Sequence, residues 1–241
     1  MLTVTFGVSC APYLAIRTLH QLAHDEKLNH PAAANCLIND FYVDDALTGS
    51  DTIEELNLLK TDLINLLKKG GFHLRKFSSN HESILHDIPP KDRSQEISLN
   101  LEDKTTIKAL GIHWEPASDN FRYKLNFSMT GKATKRKILS DIAKLFDPLG
   151  WISPIIVTAK IYMQKLWIAG LEWDDDLSEQ LHQEWQVFMD NLPLIEKIRI
   201  PRWIDSTLNT KLEIHGFCDS SEKAYAAVIY ARITRSDNSI I

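Results

Sequence analysis

Two adjacent aspartates, Asp44 and Asp45, follow an apolar, β-prone run that begins at Cys36. This pattern predicts a strand, a tight turn and a second strand over 36–46, before turn-forming residues at 48–51. Neighbouring residues of a flat strand point to opposite faces, whereas both carboxylates at a tight turn can reach one site. Such a pair can hold divalent metal for phosphoryl transfer. Because the motif is short, a solvated acidic surface turn is the alternative interpretation.

Composition limits the function classes that need to be considered. The chain has 241 residues, of which 44% are hydrophobic and 24% charged, as is typical of a globular protein. Its net charge of −5 means that any nucleic-acid site is local, since such binding depends on basic surfaces. The three cysteines are far apart, which indicates neither a disulfide framework nor a zinc site. Without a signal pattern or an apolar run of ~20 residues, we expect an intracellular protein, cytoplasmic by default, with no membrane partner.

Hydrophobic periodicity divides the chain into an α+β part, a helical part and a β-rich end. The α+β part is predicted to contain helices from Pro12 to about Asp25 and over 53–69, and strands over 72–77, 105–114 and 121–127. Beyond residue 130 the pattern predicts helices over 132–145, 155–169 and 177–191, and then strands over 212–219 and 224–233.

Four segments follow each other in an order and spacing that resemble the palm of a reverse transcriptase. They are Phe6-Gly7-Val8-Ser9-Cys10-Ala11-Pro12, Tyr42-Val43-Asp44-Asp45, Gly71-Phe72-His73-Leu74 and Leu110-Gly111-Ile112. The longer segments at 70–76, 145–150 and 217–225 resemble the BEL/Pao group of long-terminal-repeat retrotransposons. This resemblance covers nearly the whole chain.

The resemblance implies an α+β fold with three parts. These are a partial reverse transcriptase palm at 1–128, a helical thumb and connection at 129–205, and an incomplete ribonuclease H-like β-hairpin at 206–241. The implied activity is RNA- or DNA-templated DNA synthesis with magnesium. The implied partners are an RNA or DNA primer–template and the remainder of a Pol polyprotein.

The resemblance also assigns roles to individual residues. Asp44 and Asp45 would be catalytic metal ligands, and Asp219 would be a metal ligand of the ribonuclease H-like part. The residues expected near the nascent base pair and primer are Phe6, Gly7, Tyr42, Leu110 and Gly111.

The densest basic patch lies in the predicted thumb, where the resemblance implies contact with the nucleic-acid backbone. It consists of Lys132, Lys135, Arg136 and Lys137. The alternative interpretation is a solvated helix face. The acidic run at 174–176 is interpreted as linker and helix N-terminal charge.

Activity of the chain by itself is not expected. A reverse transcriptase also uses an aspartate from a strand that precedes the Phe-Gly segment, and this chain begins at that segment. The fingers and the further acids of a ribonuclease H site would likewise lie outside it. Two alternatives remain open, namely a non-catalytic remnant that binds nucleic acid or a partner, and an unrelated α+β protein.

Overall fold

Two structural units make up the chain in the computed structural model, which describes residues 4–5, 7–94, 107–109, 111–125, 131–207 and 209–241. The first unit spans 1–110 and 116–118, and the second spans 111–115 and 119–241. Each unit contains helices and short antiparallel strands, in agreement with the predicted α+β class. Among the described residues, no helix is both long enough and apolar enough to cross a membrane.

Three helices form the first unit: α1 (Ala11–Glu26), α2 (Pro31–Asn39) and α3 (Ile53–Lys69). Their apolar faces pack into one core, because each helix repeats apolar residues at helical spacing. The buried members of this core are Leu19, Ala23, Ala33, Ala34, Cys36, Leu37, Leu63, Leu66 and Leu67.

Helix α3 begins and ends close to the residues that the sequence predicts. Thr52 caps its N-terminus, since the side-chain oxygen accepts a hydrogen bond from the Glu55 backbone N–H at 3.2 Å. Lys68 and Lys69 lie in the last turn, where positive charge is favourable. Gly71 follows with φ +76°, a conformation that glycine adopts at little cost. Local signals therefore define this helix at both ends.

Helix α2 occupies part of the region for which the sequence predicts a strand. The prediction of a strand at the start of 36–46 is wrong, because Cys36 is buried on a helix that continues to Asn39. The two strands that form are shorter than predicted: β1 is Phe41–Tyr42 and β2 is Asp45–Ala46.

The segment after α3 is irregular up to residue 94. Only one bridge, between Phe77 and Arg93, and two short 3-10 helices, Glu82–Leu85 and Pro90–Asp92, lie within it. The predicted strand over 72–77 is therefore wrong, since a strand needs a ladder of backbone hydrogen bonds and this segment forms one bridge among the described residues.

Gly111 interrupts the strand predicted over 105–114. It separates β3 (Ile107–Ala109), in the first unit, from β4 (Ile112–Glu115), in the second. Gly111 has φ +85°, and a Cβ atom at this position would lie only 2.5 Å from Cε1 of Phe146. Both the backbone conformation and the close approach of the ring therefore require glycine here.

A small antiparallel sheet lies in the second unit. Strand β4 pairs with β5 (Asn120–Arg122), and β5 pairs with β6 (Arg199–Pro201). The prediction of a strand over 121–127 is confirmed only at its start, and residues 126–127 lie outside the described residues.

Three helices form the core of the second unit: α4 (Lys135–Ala143), α5 (Ser153–Ile168) and α6 (Glu179–Asn191). They confirm the three helices predicted after residue 130, although α4 is shorter at both ends. Trp185 stacks on Tyr162 with their ring centroids 5.3 Å apart. The buried residues of this core are Ile138, Ile142, Leu145, Ala159, Tyr162, Met163, Leu166, Trp185, Met189, Leu192 and Ile195.

A long hairpin ends the chain. Strand β7 (Lys211–Ser220) pairs with β8 (Tyr225–Thr234) in continuous antiparallel register, which confirms the two predicted strands. Most of its side chains are exposed, including large apolar ones on both faces. Glu213 and Thr234 are partly buried, and Ile233 is buried at 2% exposure.

Candidate active-site hairpin and basic helix

A two-residue turn, Val43-Asp44, places the paired aspartates at an exposed hairpin tip. Tyr42 and Asp45 face each other across β1 and β2, so the chain reverses between them. Both aspartates are exposed. Neither carboxylate has a hydrogen-bond or ion-pair partner among the residues that the structure describes. Two adjacent negative charges therefore project into solvent without neutralisation.

Helix α2 and the core of the first unit hold the base of this hairpin. Asp40 follows α2, and its carbonyl accepts the Leu47 backbone N–H at 2.9 Å. The Asp40 carboxylate accepts the Thr48 hydroxyl at 2.6 Å. Phe41 packs against the helical core. The base is thus fixed by contacts that leave the tip free.

The turn itself has a strained backbone. Val43 has φ +58°, which places a β-branched residue in the left-handed region. This conformation is unusual for such a residue and costs on the order of 1–3 kcal/mol. Residues held in this way are concentrated at functional sites, because surrounding structure must maintain them.

The donor chemistry of the tip suits a hard divalent cation. Magnesium is commonly held by one or two carboxylates, with water and substrate phosphates as its other ligands. Within the described ranges, no group of three or more His, Cys, Asp or Glu residues is placed to hold a metal ion. Asp44 and Asp45 could therefore hold magnesium only together with ligands from a bound substrate, from water or from residues not described.

The residues predicted to lie near the primer and nascent base pair are not all described. Phe6 and Leu110 lie outside the described residues. Gly7 is exposed, with φ +85° and open space around its α-carbon. Gly111 packs against a phenyl ring of its own unit. Tyr42 is 65% exposed.

Three of the four cations of the predicted basic patch have a carboxylate partner. Arg136 forms a two-pronged ion pair with Asp174, in which Nε and Nη2 each lie 2.9 Å from a carboxylate oxygen. Lys132 pairs with Asp176. Within α4, Lys137 pairs with Asp141. Neighbouring acids therefore neutralise the patch in this structure.

Lys135 differs from the other three cations because it is buried, at 4% exposure. Its ammonium group lies 3.3 Å from the centroid of the Trp167 ring and donates a hydrogen bond to the Leu171 carbonyl at 2.7 Å. The Trp173 ring lies further away, 5.4 Å from the same nitrogen. A cation over an aromatic face is stabilised by the ring quadrupole, so Lys135 has a packing role in this unit.

The ion pair has the expected effect on proton affinity. The side-chain hydrogen bond to Asp174 raises the pKa of Arg136, and the same contact lowers the pKa of Asp174. The interpretation of 174–176 as linker and helix N-terminal charge misses this contact. The complementary charges of α4 and the acidic run were the available signal, but nothing local indicates that they meet.

Asp219 occupies the penultimate position of β7, opposite Ala226. Its side chain is exposed, and one carboxylate oxygen accepts the Ser220 backbone N–H at 2.8 Å. The next residues form a compact turn, in which the Ser221 N–H donates to the Ala224 carbonyl at 2.8 Å. Asp219 therefore presents its carboxylate beside a well-defined turn.

The cysteine before the candidate hairpin is a core residue. Cys36 is buried on α2, and burial raises the pKa of its thiol to about 11. A thiol with such a pKa stays protonated near neutral pH and is a poor nucleophile. Cys36 therefore contributes packing to the candidate site.

Comparison with protein families identifies the class of the second unit's helices and long hairpin. Residues 134–241 match the model of a family of RNaseH-like domains. That family is described as the Pao retrotransposon-like RNaseH-like domain. The match begins at Thr134, the residue that caps α4, and continues through β7 and β8. It covers somewhat less than half of the chain.

The comparisons with curated proteins and with solved structures found no match. The family match supports the interpretation of the chain as part of a Pao-type retrotransposon Pol protein with a ribonuclease H-like domain. It runs without interruption across the boundary predicted at residue 205, and the division at 128 and 205 stays a prediction.

Proposed function

We propose that this chain is part of a retrotransposon reverse transcriptase, which performs nucleic-acid-templated DNA synthesis by metal-assisted phosphoryl transfer. The observation that carries the proposal is the exposed, unpaired Asp44–Asp45 tip on a strained turn. The match of residues 134–241 to a retrotransposon family supports the same origin for the rest of the chain.

In this proposal Asp44 and Asp45 would hold magnesium near the end of a primer. The bound metal would polarise a phosphoryl oxygen and lower the pKa of the attacking hydroxyl. Because the two carboxylates are adjacent and already exposed, they need no rearrangement to reach a ligand. The fixed base of the hairpin keeps their position defined while the substrate supplies the remaining oxygen ligands.

We further propose that the chain by itself binds substrate without extending it. Two-metal phosphoryl transfer uses ions about 3.5–4 Å apart, which two neighbouring aspartates do not clamp by themselves. The family resemblance implies a third aspartate from an earlier strand.

Asp219 is proposed as a first metal ligand of the ribonuclease H-like part. Its exposed carboxylate lies at the end of a long strand, within the range that matches the RNaseH-like family. Further acidic ligands would be needed, since a two-metal nuclease site requires several carboxylates.

Helix α4 is proposed as a contact for the nucleic-acid backbone, with one condition that follows from its ion pairs. Backbone phosphates would have to displace Asp174 from Arg136 and Asp176 from Lys132. This exchange lowers the net free energy gained from each cation–phosphate contact, because one anion replaces another. Lys135 is excluded from direct contact, since its ammonium group is buried under Trp167.

The decisive experiment measures binding of a fluorescent DNA primer–template to the purified chain, with and without magnesium. We expect magnesium to strengthen binding, and Asp44→Asn to abolish the magnesium-dependent part, because the variant removes one of two carboxylates. Asp51→Asn is the matched control, since Asp51 is an exposed aspartate between β2 and α3, outside the hairpin turn. It should behave as the wild type does.

Two outcomes would contradict parts of the proposal. Binding that is equal with and without magnesium, and equal in Asp44→Asn, would indicate the alternative, a non-catalytic nucleic-acid-binding remnant. Primer extension by the purified chain with magnesium and four deoxynucleotides would overturn the prediction that it does not polymerise alone.

A further inference from the structure

One face of α1 carries polar side chains that converge on a surface cavity. Arg17, His20, Gln21 and His24 recur at helical spacing, so they lie on the same side of the helix. The cavity has a volume of about 410 Å³, and Ile38 of α2 completes its lining. The opposite side of α1 packs into the core of the first unit.

The lining of this cavity is rich in hydrogen-bond donors and poor in acceptors. Arg17 offers a guanidinium group, and His20 and His24 offer imidazole rings. Among the described residues, the side chains of Arg17 and His20 have no hydrogen-bond or ion-pair partner. The Gln21 amide is occupied, since its nitrogen donates to Asp25 at 2.7 Å.

The charges around the cavity favour an anion. Asp25 follows His24 on the same helix, and its carboxylate is engaged by Gln21 and lies 3.7 Å from a ring nitrogen of His24. Asp25 does not line the cavity. The other acid of this helix end, Glu26, forms an ion pair with Lys69 of α3. The guanidinium group of Arg17 is therefore not neutralised.

A metal ion is a weaker candidate for the same residues. His20 and His24 are spaced four residues apart on a helix, as in some zinc sites. Such a site needs at least a third protein ligand. A fixed positive charge nearby would also disfavour it. The described residues contain no group of three suitable ligands, and Arg17 shares the face with both histidines. The guanidinium group would repel a cation.

We propose that the Arg17–His20–His24 face of α1 is a phosphate-binding site. The planar guanidinium group matches the oxygen geometry of a phosphate, and the imidazoles add donors from the next turns of the helix. The phosphate belongs either to a small phosphorylated molecule or to the backbone of a single-stranded nucleic acid. The site is independent of Asp44 and Asp45, and of magnesium.

The test is a calorimetric titration of the full chain, without divalent metal, with three probes. They are inorganic phosphate, deoxythymidine triphosphate and a ten-nucleotide single-stranded DNA. We expect saturable binding of at least one probe, and a loss of about tenfold or more in affinity in Arg17→Gln, because a charged hydrogen-bond donor is removed. Binding of the DNA alone assigns the phosphate to a nucleic-acid backbone.

Two further variants make the result specific. Lys27→Gln is the matched control, because it removes one exposed positive charge just after α1 without altering the cavity. It should keep the affinity of the wild type within about twofold, since interactions of exposed charges are small. His20→Gln should weaken binding less than Arg17→Gln does, because the amide keeps a donor.

Three results would overturn the proposal: no binding of any probe, an equal loss in Arg17→Gln and Lys27→Gln, or tight binding of Cu²⁺ or Zn²⁺ that excludes phosphate. Circular dichroism verifies that the variants are folded. Asp44→Asn should retain phosphate binding, so a failure of the proposed polymerase function and a failure of this site are distinguishable.

Discussion

The two hairpins that present candidate metal-binding aspartates are held in different ways. The short hairpin, β1–β2, has only four strand residues, and helix α2 and a core contact fix its base. The long hairpin, β7–β8, has a continuous ladder of ten residue pairs but buries almost none of its side chains. Tertiary packing therefore positions Asp44 and Asp45, whereas local strand pairing positions Asp219.

This difference predicts which substitutions would disrupt each candidate site. A hairpin held by packing depends on residues distant in sequence and tolerates changes at its tip. A hairpin held by its own ladder depends on the few side chains that attach it to the rest of its unit. Ile233 is the buried residue of the long hairpin, and its backbone also exchanges two hydrogen bonds with Ile241 at 3.0 Å.

The largest expected effect is therefore at Ile233. Ile233→Ala should lower the free energy of unfolding of the second unit by about 2–5 kcal/mol, because it leaves a cavity at a fully buried position. Urea denaturation followed by circular dichroism measures this change.

Ile229→Ala is the control on the same strand, because Ile229 is 73% exposed. It should cost less than about 1 kcal/mol, which reflects strand propensity alone. An equal cost for both substitutions would break the comparison, since it would mean that the exposed face of the long hairpin is covered in solution.

The second prediction concerns the strained turn of the short hairpin. Val43→Gly should raise the free energy of unfolding of the first unit by about 1 kcal/mol. Glycine adopts the positive φ at this position without strain, which stabilises the folded state. Its greater conformational entropy in the unfolded chain offsets part of this gain. Thermal denaturation of wild type and variant measures the change.

Ala46→Gly provides the matching control within β2 and should destabilise the same unit, since glycine weakens a strand. A loss of stability in Val43→Gly, similar to that in Ala46→Gly, would show that Val43 is not strained in solution.

The smallest effect is expected at the base of the long hairpin. Arg235 pairs there with Asp205, a residue with φ +61°. Asp205→Asn keeps a residue type that tolerates this backbone and removes only the charge. It should cost less than about 1 kcal/mol, and the cost should shrink at 1 M salt.

Denaturation at low and high salt measures this dependence. A cost that persists at high salt would indicate that the pair is shielded from solvent, and the long hairpin would then resemble the short one in being held by tertiary contacts.

Sequence alone predicts the elements whose signals are local. Helix α3 carries its cap, its charged last turn and its terminating glycine within one segment. The β7–β8 hairpin has alternating strands on either side of a compact turn. Periodicity likewise predicts α5 and α6, because their apolar residues recur through several turns. The reversal of the chain at Val43 and Asp44 is also predicted from a local turn, although its strands are shorter than predicted.

The elements that sequence misses are those decided by distant contacts. Cys36 and its neighbours have strand-forming side chains, but packing against α1 and α3 places them on a helix. The segment 72–77 alternates in the same way as a strand, but among the described residues it forms only the single bridge from Phe77 to Arg93. The ion pair between Arg136 and Asp174 joins residues 38 positions apart, so no local pattern reveals it. The sequence therefore predicts an uncompensated basic patch, whereas in the folded chain Asp174 and Asp176 neutralise Arg136 and Lys132.

The burial of Cys36 has a practical consequence for chemistry on this protein. Cys10, in the first unit, and Cys218, in the second, are both exposed, whereas the Cys36 thiol is enclosed and kept protonated by burial. Thiol-directed reagents at neutral pH should therefore modify one cysteine in each unit. Cys218 is adjacent to Asp219, so a fluorophore attached there would report directly on ligands that reach the end of the long hairpin. The native chain thus already contains one separate labelling position in each of its two units.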